Sequence, residues 1–335
     1  MSAAHLTFEE ADAEAQAERP ALEAERDRPE TKAALPPWIA NVPIEPTLDE
    51  DTIRAAFGWI DLRAAASVNE SRAWADTLRE ALAYLLPRRL PRKEGNGRES
   101  DPRWPDDFES WMCYQVACAI VALSADDAAS LWQPILERVD RDHSLVQKFL
   151  QGFFLNGSQR ASSIDAFASV WRQMLLYALA AEGWASRSAY DLDDCVIALL
   201  GCGNSSAFGG CAPVDHVPES LVPLFARAAQ RWLRFPRVAQ RLAWLAAAAE
   251  GRVLLVPSLA WFADALESYT SSRWDKALAA ALIRYLRAVW QNARDSVRVD
   301  TTSLRAFERL LNLAAAHGGH EGLSLRDQVL DADGG

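Results

Sequence analysis

The stretch Trp274-Asp275-Lys276-Ala277-Leu278-Ala279-Ala280-Ala281-Leu282-Ile283-Arg284-Tyr285-Leu286-Arg287-Ala288-Val289 carries the pattern that sets the fold class. Trp274, Leu278, Leu282, Tyr285 and Val289 recur at i, i+4, i+8, i+11 and i+15. That spacing draws one apolar stripe along an α-helix and does not fit the two-residue alternation of a strand. Leu304, Phe307, Leu311 and Ala314 predict a further helix toward the C-terminus. Upstream, Leu221, Leu224, Phe225 and Trp232 predict another, opened by Pro218. Pro236 divides it from a helix holding Leu242, Trp244 and Leu245.

The same period continues toward the N-terminus. Phe167, Trp171, Leu175 and Leu179 mark one helix, and Leu145, Phe149, Phe153 and Phe154 mark another. Leu131, Trp132, Ile135 and Val139 form a stripe that Ser124 and Asp127 are placed to cap. Phe108 to Leu123 is uncharged after its start and predicts a central helix covered on several sides. Trp74, Leu78, Leu82 and Leu85 precede it, stopped by Pro87. Thr47-Leu48-Asp49-Glu50 matches a capping box, followed by Ile53, Phe57 and Ile60. Strand patterns are essentially absent. The expected fold is all-α, an irregular α-solenoid of stacked helical hairpins with a compact irregular bundle as the alternative. No fixed repeat period stands out, because the tryptophan-bearing helices recur at uneven intervals.

At 335 residues, 50% hydrophobic and 24% charged, the chain has ample material for a buried core. Thirteen tryptophans against three methionines supply large anchors for it. Residues 1–46 read differently. Ten acidic and four basic side chains, with Pro20, Pro29, Pro36, Pro37, Pro43 and Pro46, predict a mobile acidic arm. Leu35, Trp38 and Ile39 give it a short apolar handle. The helical-repeat domain is expected over residues 47–330, with a polar loop at 87–105.

The net charge of −11 argues against indiscriminate binding to nucleic acid or anionic membrane. Five cysteines at 113, 118, 195, 202 and 211 form no disulfide framework and fit a reducing cytoplasm. The start of the chain lacks the basic and apolar regions of a signal peptide. Trp111–Ala125 is too short to span a bilayer. Leu242–Phe262 is interrupted by Glu250, Gly251, Arg252 and Pro257, so both read as buried helices rather than membrane spans.

Four constellations invite a chemical reading. Gly152-Phe153-Phe154-Leu155-Asn156-Gly157-Ser158 copies the glycine spacing of a phosphate-binding loop. It lacks the lysine and the preceding strand that such a loop needs, and reads as a helix end and turn. Asp191-Leu192-Asp193-Asp194 is formally a DxDD motif, the general-acid motif of class II terpene cyclases. Its place at a helix start offers those acids a dipole role instead. Cys202, Cys211 and His216, with Cys195 nearby, could be assembled into a zinc site but contain no close ligand pair. His317 and His320 flank Gly318 and Gly319 in a helix-ending sequence. No catalytic residue, metal or cofactor is assigned.

The charges with most to offer are Arg227, Arg231, Arg234, Arg237 and Arg241. Their spacings of four, three, three and four keep them near one helical face, and no acid interrupts them. Guanidinium groups so placed can fork onto carboxylates or phosphates. The competing reading is a solvated face paired with acids of a neighbouring helix. Arg88, Arg89, Arg92 and Lys93 form a second basic cluster in the polar loop.

The stretch from His143 to the C-terminus resembles the C-terminal helical region of large bacterial STAND-type ATPases of anti-phage defence. The resemblance rests on Phe149-Leu150-Gln151-Gly152-Phe153-Phe154 and Trp171-Arg172-Gln173-Met174-Leu175-Leu176-Tyr177-Ala178. Arg231-Trp232, Val253-Leu254-Leu255 before Trp261, and Ala306-Phe307 with Leu310-Leu311 extend it. It implies a repeat scaffold that senses or docks a partner, with nucleotide hydrolysis held in a separate domain. The function expected is therefore a non-catalytic helical-repeat interaction protein, a sensor or scaffold subunit of a bacterial defence system with a protein partner. The alternatives are a nucleic-acid-binding helical module using the arginine face and an enzyme with a pocket inside the helical array, lined by Asp193 and tryptophans.

Overall fold

A computed structural model describes residues 75, 76, 78, 79, 82, 86, 113 and 116–333, apart from 158–160, 162, 186–189, 203–216 and 250. The expected acidic arm, the capping box at Thr47 and the polar loop at 87–105 lie outside the described residues. Those residues form helices and turns and contain no strand. The fold is all-α. None of the described helices is long and apolar enough to cross a membrane. The chain divides into two compact units, Met1–Ile135 and Leu136–Gly335.

In the first unit, Ala75, Leu78, Leu82 and Leu86 are buried at helical spacing, as are Cys113 and Val116 to Val121. Helix α1, Ala125–Leu136, runs across the unit boundary. Ser124 caps its start by accepting from the Asp127 amide at 3.3 Å and donating to the Asp127 carboxylate at 2.8 Å. Arg79 donates to Ser130 Oγ at 2.7 Å and to Asp127 at 3.3 Å, and pairs with Asp76.

The second unit is built from α2 (His143–Gly152), α3 (Ile164–Ala180), α4 (Tyr190–Leu199), α5 (Val222–Trp232) and α6 (Pro236–Ala247). It continues with α7 (Ser258–Leu266), α8 (Lys276–Val299), α9 (Thr301–His317) and α10 (Gly319–Asp333). Their starts follow from sequence. Asp142, Ser163, Asp275 and Asp300 accept amide hydrogens of the first turns of α2, α3, α8 and α9, satisfying donors that a helix leaves unpaired. Pro236 opens α6, where its missing N–H costs nothing. Trp274 lies just before the cap of α8, so it leads into the stripe rather than starting it.

Helices pack on the helix two places along the chain, and α8, α9 and α10 also pack on their immediate neighbours. One series runs α2, α4, α6, α8, α10 and the other α3, α5, α7, α9. Consecutive helices therefore fall into alternate layers, the arrangement of stacked helical hairpins. Between the layers lie Phe153, Phe154, Phe167, Trp171 and Phe225, joined by ring contacts of 4.5–5.9 Å. All five are buried. Farther along, Tyr285 of α8 donates to the Leu255 carbonyl at 2.7 Å and meets Ser258 Oγ at 2.8 Å, fixing the start of α7.

A regular spacing appears in the hydrogen bonds that tie one layer element to the next. The Trp184 indole donates to the Leu136 carbonyl at 3.3 Å, 48 residues back. The Trp232 indole donates to the Trp184 carbonyl at 3.1 Å, again 48 residues back. Arg231 donates to the Leu179 carbonyl 52 residues back, and Arg234 to that of Ala185, 49 residues back.

Candidate interaction surface

The five arginines do not share one face. Arg227 and Arg231 lie on α5, Arg234 in the turn, and Arg237 and Arg241 on α6. Because α5 and α6 belong to different layers, the break at Pro236 redirects the stripe instead of carrying it through. Arg231 caps the carbonyl end of α3 through Leu179. Arg234 binds the Ala185 carbonyl at 2.9 Å, and its guanidinium sits 4.8 Å from the Phe235 ring. Arg237 pairs with Asp194 of α4 at 2.5 Å. Arg241 is half-buried beside the Cys202 thiol, which it influences electrostatically. Arg227 is exposed.

Two of the five thus serve helix ends through main-chain carbonyls, and one serves an ion pair. Carbonyls at a helix C-terminus are unpaired and carry partial negative charge, so a guanidinium satisfies them without any acid.

Phe153 and Phe154, inside the loop that imitates a phosphate site, occupy a π-helical turn and are buried in the aromatic cluster. Asp193 is nearly buried on α4, and its Oδ1 has no hydrogen-bond partner. Burial pushes its carboxyl up to about 6, against the pull of Arg237 and with the help of the Asp194 charge. Cys195 is a buried thiol on α4 that donates to the His143 carbonyl at 3.4 Å. Burial pushes the Cys202 thiol up to about 12, which disfavours the thiolate a metal requires. Cys211 and His216 lie outside the described residues, as do Arg88, Arg89, Arg92 and Lys93. His317 stacks on Trp274 at 4.3 Å, nearly parallel.

One feature escaped the sequence reading. Trp244 on α6 is 38% exposed, and the exposed Arg284 of α8 lies over its ring at 4.2 Å. Arg237, Arg241 and Trp244 are spaced i, i+4 and i+7, so they share one stripe of α6. Arg284 and Arg287 share the facing stripe of α8. Residues 222–249 contain no acid, and neither do residues 276–293. On an acidic protein, α8 therefore presents the exposed Arg284 and Arg287 beside an exposed indole of α6, whereas Arg237 on the α6 stripe is held by Asp194.

The fold and these contacts define an all-α protein of stacked helical hairpins with a basic, aromatic surface on α6 and α8. No protein-family model and no curated protein matches the chain.

Proposed function

We propose that the chain is a non-catalytic helical-repeat interaction protein, acting as a sensor or scaffold subunit in a bacterial defence system. The observation that supports this most directly is the alternate layering of α2 to α10, with indole and guanidinium donors bonding main-chain carbonyls 48 to 52 residues back in the part between Leu136 and Arg234. Stacked units of this kind present long surfaces whose outward side chains are free to vary while the inward ones hold the stack. Arg227 on the layer of α5 and Arg284 and Arg287 on α8 are exposed basic groups on such outward faces. The defence role extends the resemblance of the segment from His143 onward.

The test is affinity purification of the tagged chain from its source cells, paired with the exposed-charge variant Arg227→Glu and the α8 variant Arg284→Glu. A partner that co-purifies at a fixed ratio with the wild type, and is lost from at least one variant of unchanged melting temperature, supports the reading. Turnover of a small-molecule substrate by the purified chain alone replaces it with an enzyme. Challenge of a deletion strain with phage tests the defence role, which predicts higher plaque counts than in the parent.

A further inference from the structure

The geometry points to the α6–α8 surface, centred on Trp244 and Arg284, as a docking site for a short acidic peptide segment of a partner protein. This rests on the interaction-protein reading and names its surface and its partner chemistry.

Three observations carry it. Trp244 is 38% exposed at a position where α6 meets α8. An indole left this open to water forgoes apolar burial worth about 25 cal/mol for each Å². The Arg284 guanidinium lies 4.2 Å from the ring centroid and forms no ion pair with a carboxylate of the described residues. The cation–π contact holds its plane in place and leaves its N–H donors for an external oxygen. Arg287, on the same stripe, has its nearest carboxylate, Glu321, at 3.9 Å with both groups exposed. Such a contact is weak and exchangeable.

Charge complementarity selects the occupant. The exposed Arg284 and Arg287, on a helix stretch with no acid of its own, create a local positive field on a chain of net charge −11. Asp and Glu side chains can meet these guanidinium groups two N–H groups at a time. An apolar side chain between them can cover the open edge of Trp244, as aromatic anchors do at the centre of interfaces. A long polynucleotide is the weaker fit. Its phosphates extend past the patch onto the negative remainder of the protein, where the same field repels them.

The experiment measures fluorescence anisotropy of an end-labelled, Glu-rich peptide carrying a single Leu, titrated with the full chain. A Gln-substituted copy of the peptide and a labelled oligothymidine serve as comparison probes. We expect the Glu-rich peptide to bind best and to weaken as salt rises. Arg284→Glu should weaken it about tenfold or more without change in helix content or melting temperature, and Trp244→Ala should also weaken it with helix content unchanged. Equal binding to Arg284→Glu, equal binding of the Gln-substituted peptide, or absence of peptide binding overturns the proposal. Preference for oligothymidine overturns it in favour of a nucleic-acid surface. Where co-purification of a partner survives both Arg284→Glu and Trp244→Ala but is lost in Arg227→Glu, this surface fails and the scaffold reading stands. Where no variant and no wild-type sample retains a partner, both fail.

Discussion

The indole N–H of Trp232 ends on the main-chain oxygen of Trp184, whose own indole N–H ends on the main-chain oxygen of Leu136. Each tryptophan is fully buried, so each bond closes a polar group that water cannot reach. Replacing Trp232 with Phe keeps an aromatic ring but strands the Trp184 carbonyl and leaves space beside it. We expect a loss of about 2–4 kcal/mol, read as a lower urea midpoint with an unchanged slope.

The arginines should separate by what they touch. Arg231→Ala removes the donor from the carbonyl end of α3 and should lower stability by about 1–2 kcal/mol. Arg227→Glu, on an exposed position, should shift the melting temperature little, because a surface charge away from such contacts stays within about 0.5 kcal/mol. Equal destabilisation by both would mean that Arg227 also holds the fold.

Asp193 should give the protein an acid-side stability gain. Its folded value of about 6 lies above the ordinary 3.8, so the folded state binds the proton more tightly than the unfolded one. Stability from this group is present below about pH 4 and is lost as pH rises through about 6. Asp193→Asn should flatten that decline and raise stability at neutral pH by roughly 1–3 kcal/mol. Denaturant midpoints measured from pH 4 to 7 on both proteins check the sign. A wild-type profile that rises across this window would contradict it.

Gly322 admits no side chain. A Cβ placed there would lie 1.9 Å from the Ala314 carbonyl oxygen, which belongs to the last turns of α9. Gly322→Ala must therefore push α10 away from α9. A cost of roughly 2–3 kcal/mol is expected, with loss confined to the C-terminal helices in amide hydrogen exchange. Exchange unchanged along α10 would show that the chain absorbs the methyl group elsewhere.

Much of the fold was legible from side-chain period alone. Leu278, Leu282, Tyr285 and Val289 predicted α8, and all four are buried. The cap at Ser124 and the break at Pro236 were legible for the same reason, since their chemistry is local. The spacing of 48 was not. An indole that donates to a main-chain oxygen places no demand on the identity of the acceptor residue, so Leu136 stands where Trp184 stands one interval later. The arginines are legible as partners for carboxylates or phosphates, on a docking face or paired to a neighbouring helix, whereas Arg231 and Arg234 are held by carbonyls, which every residue carries. Trp244 passed as a core anchor because periodicity counts an aromatic ring as apolar whether or not a neighbour covers it.

The ladder from Leu136 through Trp184 to Trp232 also bears on how such a gene can change its length. Excising residues 185–232 would join Trp184 directly to Leu233 and delete α4 and α5, one helix from each layer. Trp184 would keep its bond to Leu136, while α2 would meet α6 and α3 would meet α7. Insertions and deletions in whole intervals preserve the order of the layers, and those of half an interval invert it. Relatives of this chain should therefore differ in length across the segment from Leu136 to Trp232 by multiples of about fifty residues, within the limits of ordinary loop variation.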